Sequence, residues 1–421
     1  MSCLDQVDRA IALARQNAGG RGLNCVAEID DTARAQAEAQ AARADSALPL
    51  RGVPVLVKDN IDVRGLHTTA GSLALADNLA RADAPVVRNL RRSGAVILGK
   101  TNMTEFANYT TRGMPGGYSS RGGQVIHAAG KDLSPSGSSS GSGVAVAAGI
   151  VPMAVGTDTS FSVTACAMHN GICGLKPPAG TLSAEGIIPI ARTLDSAGAM
   201  AGNFADTLKL YSAMREEPLA PVEPLSPAGL RLAVNRANWE RVPADEKAFL
   251  RQLIDRLRAE GAAVGEILQP PVPQVATIMQ WEFRPMLEDY LRKSSASRKT
   301  LAEIVDYYES HPDTMMKYGD VCLRSALDET PGGLLGKPYL EALEVRREAI
   351  PRIRAELRRC DAVLMTGPTN IMHFCALPSV AVAGGPKTKD GVSRAVILYG
   401  AEECRLYAAA LCMERILGSM A

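Results

Sequence analysis

Short stretches of this chain hold residue types that could carry covalent chemistry, and each raises a different reaction. Residues 134 to 143, SPSGSSSGSG, crowd hydroxyls and glycines into a chain otherwise rich in alanine and leucine. A serine becomes a nucleophile when a base takes its proton, and the run contains Gly137-Ser-Ser139-Ser-Gly141, the G-x-S-x-G spacing of a nucleophile elbow. An elbow needs an apolar strand leading into its serine. The lead-in here, HAAGKDLSPS, is polar and broken by Pro135, which argues against that reading. Gly94 to Thr101, GAVILGKT, meets G-x-x-x-x-G-K-[ST], the spacing of a loop that curls its N–H groups around phosphate. Ala-Val-Ile-Leu between the glycines prefers a buried extended strand, so nucleotide binding is not expected. The histidines, His67, His127, His169, His311 and His373, lie far apart with no pair spaced for one helix face, and no metal site is expected. His311 and His373 follow the serines in the order a Ser-Asp-His set needs, but nothing in their surroundings singles them out.

A flexible linker would end in a composition break, whereas the serine run passes straight into VAVAAGIVPMAVGTDTS, an apolar segment fit for a core. Small residues let a backbone fold tightly, and hydroxyls satisfy the N–H and C=O groups that such a turn exposes. Two readings stand on composition: a tight buried turn without chemistry, or a turn that holds reactive groups.

The elements that must position these residues alternate. GVPVLV, residues 52 to 57, reads as a strand ending at Lys58-Asp59-Asn60, and AVIL, 95 to 98, as another. Helices are expected over 31 to 45, over 84 to 93, and where Phe249, Leu250, Leu253, Ile254 and Leu257 mark one face. LRLAV (230 to 234) and AVLM (362 to 365) read as strands, 270 to 345 as mostly helical and polar, and 401 to 417 as a final helix. This alternation predicts an α/β architecture. REEPLAPVEPLSPAG, 215 to 229, is a proline-rich connection between a front block, 1 to 214, and a back block, 230 to 421, within one unit.

With 421 residues, 46% of them hydrophobic, the chain can bury a large core. A net charge of +1, with no basic run interleaved with aromatics, predicts no nucleic-acid partner. The N-terminal MSCLDQVDRAIALARQ reads as an amphipathic helix rather than a leader, and no apolar run is long enough to span a membrane. Nine scattered cysteines without a CxxC pair predict neither a disulfide framework nor a zinc site, and a reducing cytoplasm fits them best.

Read together, the strand ending in Lys58, the serine loop and Gly156-Thr-Asp-Thr-Ser-Phe-Ser162 resemble the amidase signature family. The resemblance runs along almost the whole chain, through LRGVPVLVKDNIDVRGLHTTAGS, GAVILGKTNMTEFA, SPSGSSSGSGVAVAAG, GTDTSFS, GICGLKP, LDSAGAMA, TGPTN and ALPSVAVAGG. It implies an α/β/α sandwich with a large mixed central sheet covered by helices. By position it places the family's lysine, cis-bonded serine and nucleophilic serine on Lys58, Ser138 and Ser162. The chemistry implied is amide hydrolysis through an acyl-enzyme, with no cofactor. An amide is a poor electrophile, so the serine needs a base and the oxyanion needs positioned N–H donors. With no well-placed histidine, Lys58 is that base, and desolvation at a strand end lowers its pKa toward the working range.

Two departures bear on the site. The family reads D-x-G-G-S before its nucleophile, where this chain has Ser160 and Phe161 in place of the glycines. The resemblance assigns the oxyanion hole to the N–H groups of Thr159, Ser160, Phe161 and Ser162, and a Phe at a position needing φ > 0 would be strained. The family's arginine two residues after the nucleophile is Thr164, so Asp158 is expected to lack its supporting ion pair, and Cys166 replaces a common proline. Ser139 and Asp158 are read as supporting residues, and Ser160 as a rival nucleophile. Phe161, Met114 and Trp281 are candidates for contact with substrate, within a specificity segment at about 270 to 345 that also holds Phe283, Met286, Tyr290, Met315, Met316 and Tyr318.

The expected substrate is a small-molecule or peptide amide, since the serine loop most resembles the peptide-amidase branch, and the family often forms homodimers. Two alternatives remain: an amidotransferase-type amidase subunit that needs partners, and a catalytically silent amidase-fold binder whose oxyanion loop has been lost.

Overall fold

The computed structural model describes residues 2–43, 47–331 and 333–421. Its strands are β1 (Val26–Ile29), β2 (Pro54–Lys58), β3 (Val96–Thr101), β4 (Tyr118–Ser119), β5 (Gly123–Gln124), β6 (Met153–Asp158), β7 (Cys173–Lys176), β8 (Ser196–Ala201), β9 (Arg231–Asn235), β10 (Ala263–Ile267), β11 (Ala362–Met365), β12 (Ser379–Lys387) and β13 (Ser393–Tyr399). Eleven form one sheet in the order β1-β3-β2-β6-β8-β7-β12-β13-β11-β9-β10, and β4 and β5 make a separate hairpin. Pairing is parallel for β3/β2, β2/β6, β11/β9 and β9/β10 and antiparallel elsewhere, so the sheet is mixed, and both halves of the chain contribute to it.

Strand β2 shows why its sequence is continuously apolar. Side chains alternate across a strand, and here both faces are covered: Val55 and Val57 join one core with Ile97, Met153 and Val155, while Leu56 joins another with Leu98, Ala154 and Val144. Alternation carries Lys58 onto the same face as Leu56.

The helix expected over 84 to 93 spans Pro85–Arg92, with proline at the first turn, where its missing N–H costs nothing. That expected over 31 to 45 spans Ala33–Ala42, and 44 to 46 lie outside the described residues. The face marked by Phe249 and Leu257 is buried in Ala244–Ala259, and the last helix runs Glu403–Gly418. The segment from 270 to 345 is helical but less polar than its sequence reads. Helix Gln274–Lys293 buries Val275, Ile278, Trp281, Phe283, Leu287, Tyr290 and Leu291 in a core shared with Phe106 and Tyr109.

The stretch GAVILGKT is strand rather than phosphate loop. Lys100 is fully buried in β3 and donates to the carbonyl of His67 at 2.8 Å and to Thr68 Oγ1 at 3.1 Å.

Candidate active site

The parallel pairing of β2 with β6, Val57 beside Val155, brings the C-terminal ends of both strands together. That end of a parallel array is where α/β folds hold ligands. The helix Ser140–Ala147 follows the serine loop directly. Its approach demands small residues: a Cβ on Gly141 would collide with the carbonyls of Asn102 and Cys25, and one on Gly156 with Ser139. Ser142 bonds Thr101 Oγ1 at 2.8 Å and donates to Val155 O at 3.0 Å, tying the loop to β3 and β6. The stretch is therefore a buried turn that also presents hydroxyls to one point.

That point is the amine of Lys58. Its Nζ lies 2.8 Å from Ser138 Oγ, 3.0 Å from Ser139 Oγ and 2.8 Å from Thr157 Oγ1. Ser138 Oγ in turn lies 3.1 Å from Ser162 Oγ. The Gly137–Ser138 peptide bond is cis. Lys58 and Ser138 have no exposed surface, whereas Ser162 keeps 7%. Burial pulls the Lys58 pKa down to about 7, against the attraction of Cys166, Asp158 and Asp195. Ser139 donates to Thr157 O at 3.1 Å and Thr157 Oγ1 accepts from Asn60 at 3.0 Å. Ser139 is thus a strut in this shell, and among the described residues no histidine contacts it as an elbow would require.

The loop before Ser162 bends through the left-handed region at one residue. Phe161 has φ +70°, in the left-handed region, and Ser160 does not. Among the described residues, the N–H groups of Thr159, Ser160 and Ser162 meet no protein acceptor, while Phe161 N lies 3.0 Å from His373 Nε2. The Thr159 hydroxyl donates to Asp195 Oδ1 at 2.6 Å, and burial raises the Asp195 pKa to about 7.

Thr164 brings Asp158 no charge, and the carboxylate is held by hydrogen bonds on both oxygens instead. Its Oδ1 lies 2.9 Å from His373 Nε2, and its Oδ2 accepts from Val163 N at 2.7 Å and Thr164 N at 3.3 Å. Burial opposes ionisation of Asp158, but the attraction and hydrogen bond of His373, the attraction of Lys176 and the Val163 N–H together outweigh it and hold the pKa at about 2. His373, Thr157, Asn60 and Asp195 are not among the site residues that the sequence singles out. Thr157 and Asn60 sit inside the motifs that carry the resemblance, but a lone histidine in NIMHFCALP carries no signal of its partner 215 positions away.

Of the three candidates for substrate contact, only Phe161 adjoins the serines in sequence, and its ring meets the His373 imidazole edge-on at 4.8 Å. Trp281 is packed against Gly336 in the core, and Met114 is buried in the loop before β4. A narrow cavity bordered by Asn60, Ala107, Thr157, Thr159 and Asp195 adjoins the Lys58 shell. A larger one, about 560 Å³, is walled by His127, Ser134, His169, Met365 and Arg394 and includes none of Lys58, Ser138 and Ser162.

The family model described as Amidase matches residues 11–376. The chain is 31% identical to the "Probable amidase At4g34880" of Arabidopsis thaliana, over 86% of this chain and 77% of that protein. It is 34% identical to a glutamyl-tRNA(Gln) amidotransferase subunit from an Azoarcus species, over 88% and 79%. Its fold superposes on the native peptide amidase of Stenotrophomonas maltophilia with a TM-score of 0.88 at 29% identity, covering 99% of this chain and 94% of that one. With a match over most of its length and the same mixed sheet under helices, the chain belongs to the amidase signature family.

Proposed function

We propose that the protein hydrolyses a carboxamide to a carboxylate and ammonia or an amine through an acyl-enzyme on Ser162. The observation that carries this reading is the unbroken run of polar atoms from Lys58 Nζ to Ser138 Oγ, 2.8 Å, and on to Ser162 Oγ, 3.1 Å. A neutral amine has one lone pair and two N–H groups. Ser139 already donates its proton to Thr157 O, so Ser139 Oγ and Thr157 Oγ1 take the two Lys58 N–H groups and the lone pair is left for the Ser138 proton.

Ser162 Oγ attacks the amide carbon while its proton moves to Ser138 and that of Ser138 to Lys58. The N–H groups of the Thr159 to Ser162 turn receive the oxyanion. The C–N bond then breaks as Ser138 returns a proton to the nitrogen and recovers one from Lys58. Water repeats the relay against the acyl ester, releasing the acid and restoring Ser162. No step calls for a cofactor. Phe161 walls the acyl side. The likeness to the peptide amidase supports a C-terminal peptide amide as substrate. A cytoplasmic setting accords with cysteines that are all free.

A second reading, favoured by the 34% identity to an amidotransferase subunit, is the same amide chemistry directed at glutamine within a larger assembly. The test is intact-mass and site-mapping analysis after a fluorophosphonate probe, on wild type, Ser162→Ala and Lys58→Ala, beside turnover of peptide amides and of glutamine. Labelling at Ser162 lost in both variants, with peptide amides turned over, supports the first reading. Glutamine dependence and copurifying subunits would support the second. Labelling at Ser139 or Ser160 instead would overturn the assignment of the nucleophile to Ser162, and no labelling together with no turnover would overturn both readings in favour of a silent binder.

A further inference from the structure

His373 Nε2 faces two partners that make opposite demands on it. Asp158 Oδ1, 2.9 Å away, can only accept a proton, and Phe161 N, 3.0 Å away, can only donate one. A ring nitrogen carries a proton or a lone pair, never both. The carboxylate decides between them. Asp158 is fully buried, its Oδ2 is occupied by the Val163 and Thr164 N–H groups, and among the described residues His373 is the one donor within reach of Oδ1. A bare Nε2 would set a lone pair against a buried carboxylate oxygen and leave that oxygen unpaired, which costs more than an unpaired N–H beside a site open to a ligand.

We propose that His373 is a positioning residue for the reaction on Ser162: its Nε2–H is given to Asp158, which clamps the backbone behind Ser162 through the Val163 and Thr164 N–H groups. The inference rests on the acyl-enzyme reading above. The same allocation makes Nδ1 a bare acceptor, and Nδ1 is buried without a partner. The charged groups near the ring are Asp158 and Lys176, and burial, with Lys176 adding to it, lowers the imidazole pKa against the pull of Asp158. The acyl site thereby gains a support that arrives from the back half of the chain, on the short helix Ile371–Phe374, where the residue after the nucleophile turn, Thr164, supplies no charge.

The test has a spectroscopic arm and a kinetic arm. In protein carrying isotope-labelled histidine, the His373 signal, identified by its loss in His373→Gln, is expected to report a proton on Nε2 and none on Nδ1. His373→Ala is expected to lower kcat on a soluble carboxamide by about 100-fold with KM changed less than about threefold, as for a displaced reacting geometry. His373→Gln, whose amide N–H reaches the same place, is expected to recover at least about tenfold of that loss. A proton found on Nδ1, or an alanine variant as fast as an active wild type, overturns the proposal and leaves the acyl-enzyme reading standing. A wild type that turns over no amide overturns that reading instead, and the spectrum alone then decides where the proton lies.

Discussion

Lys58 Nζ and Ser138 Oγ stand 2.8 Å apart across 80 positions of chain, both without exposed surface. A buried ammonium is costly, so this contact is made by an amine poised between its two forms, with a pKa of about 7.

The proposed acyl-enzyme route needs the neutral amine, whose fraction rises with pH through that value. The rate constant kcat/KM is expected to be about tenfold lower at pH 6 than at pH 8, with a single ionisation near 7. The stability linkage has the same sign. The unfolded chain binds the Lys58 proton up to about 10.5 and the folded chain only to about 7, so stability gained from this site rises with pH across that window. The stability of wild type relative to Lys58→Met is expected to increase from pH 7 to pH 9, measured as urea unfolding curves of the two proteins at each pH.

Ser138 and Ser139 both touch Lys58, but the Ser138 hydroxyl continues to the Ser162 hydroxyl, whereas Ser139 meets Ser162 through its backbone N–H at the Ser162 carbonyl. Ser138→Ala is expected to lower kcat more than about 1,000-fold, and Ser139→Ala by about 10- to 100-fold, because the first breaks the relay and the second removes a strut. Equal losses in steady-state assays would sink this division of roles.

Phe161 carries a side chain at φ +70°. Glycine is normally the less stable choice beside alanine, by about 0.5–1 kcal/mol, but not where the backbone is left-handed. Phe161→Gly is expected to be more stable than Phe161→Ala by about 1 kcal/mol in urea unfolding, since both lose the ring and only glycine relieves the turn.

Lys100 is structural. It is buried 3.8 Å from Asp59, which Arg121 also approaches at 3.4 Å, so Lys100→Met removes one of two counter-charges and leaves the His67 carbonyl and Thr68 hydroxyl without their donor, which is expected to cost about 1–3 kcal/mol. Thermal scans of wild type with and without ATP are expected to coincide, which would separate this lysine from a phosphate-binding one.

The Trp281 ring occupies the space where a Cβ on Gly336 would sit. Gly336→Ala is expected to destabilise the fold by about 1–3 kcal/mol and to change Trp281 fluorescence, as overpacking does.

Much of this architecture is legible along the chain. Strands β2, β3, β9 and β11 show as short apolar runs because both their faces are buried, and Ala244–Ala259 shows its face through its 3.6-residue period. Strand β8, SAGAMA, is hidden, because small residues suit a tightly covered strand yet carry little β preference. The burial of the 270 to 345 helices is hidden for another reason: each offers an apolar stripe within a polar sequence, and the partner that covers it comes from Phe106 and Tyr109 far upstream.

For the site, the sequence by itself determined the inventory: a lysine at a strand end, hydroxyls in a small-residue turn, and a serine behind an unusual Ser-Phe pair. These depend on residue type and local backbone preference, which neighbouring residues specify. Tertiary structure alone decided how protons are shared among them. The contacts of His373 with Asp158, Asn60 with Thr157 and Thr159 with Asp195 join residues 215, 97 and 36 positions apart. No local pattern encodes such meetings. They follow from the pairing order of the sheet, and burial then turns each meeting into a constraint on which atom must carry a proton.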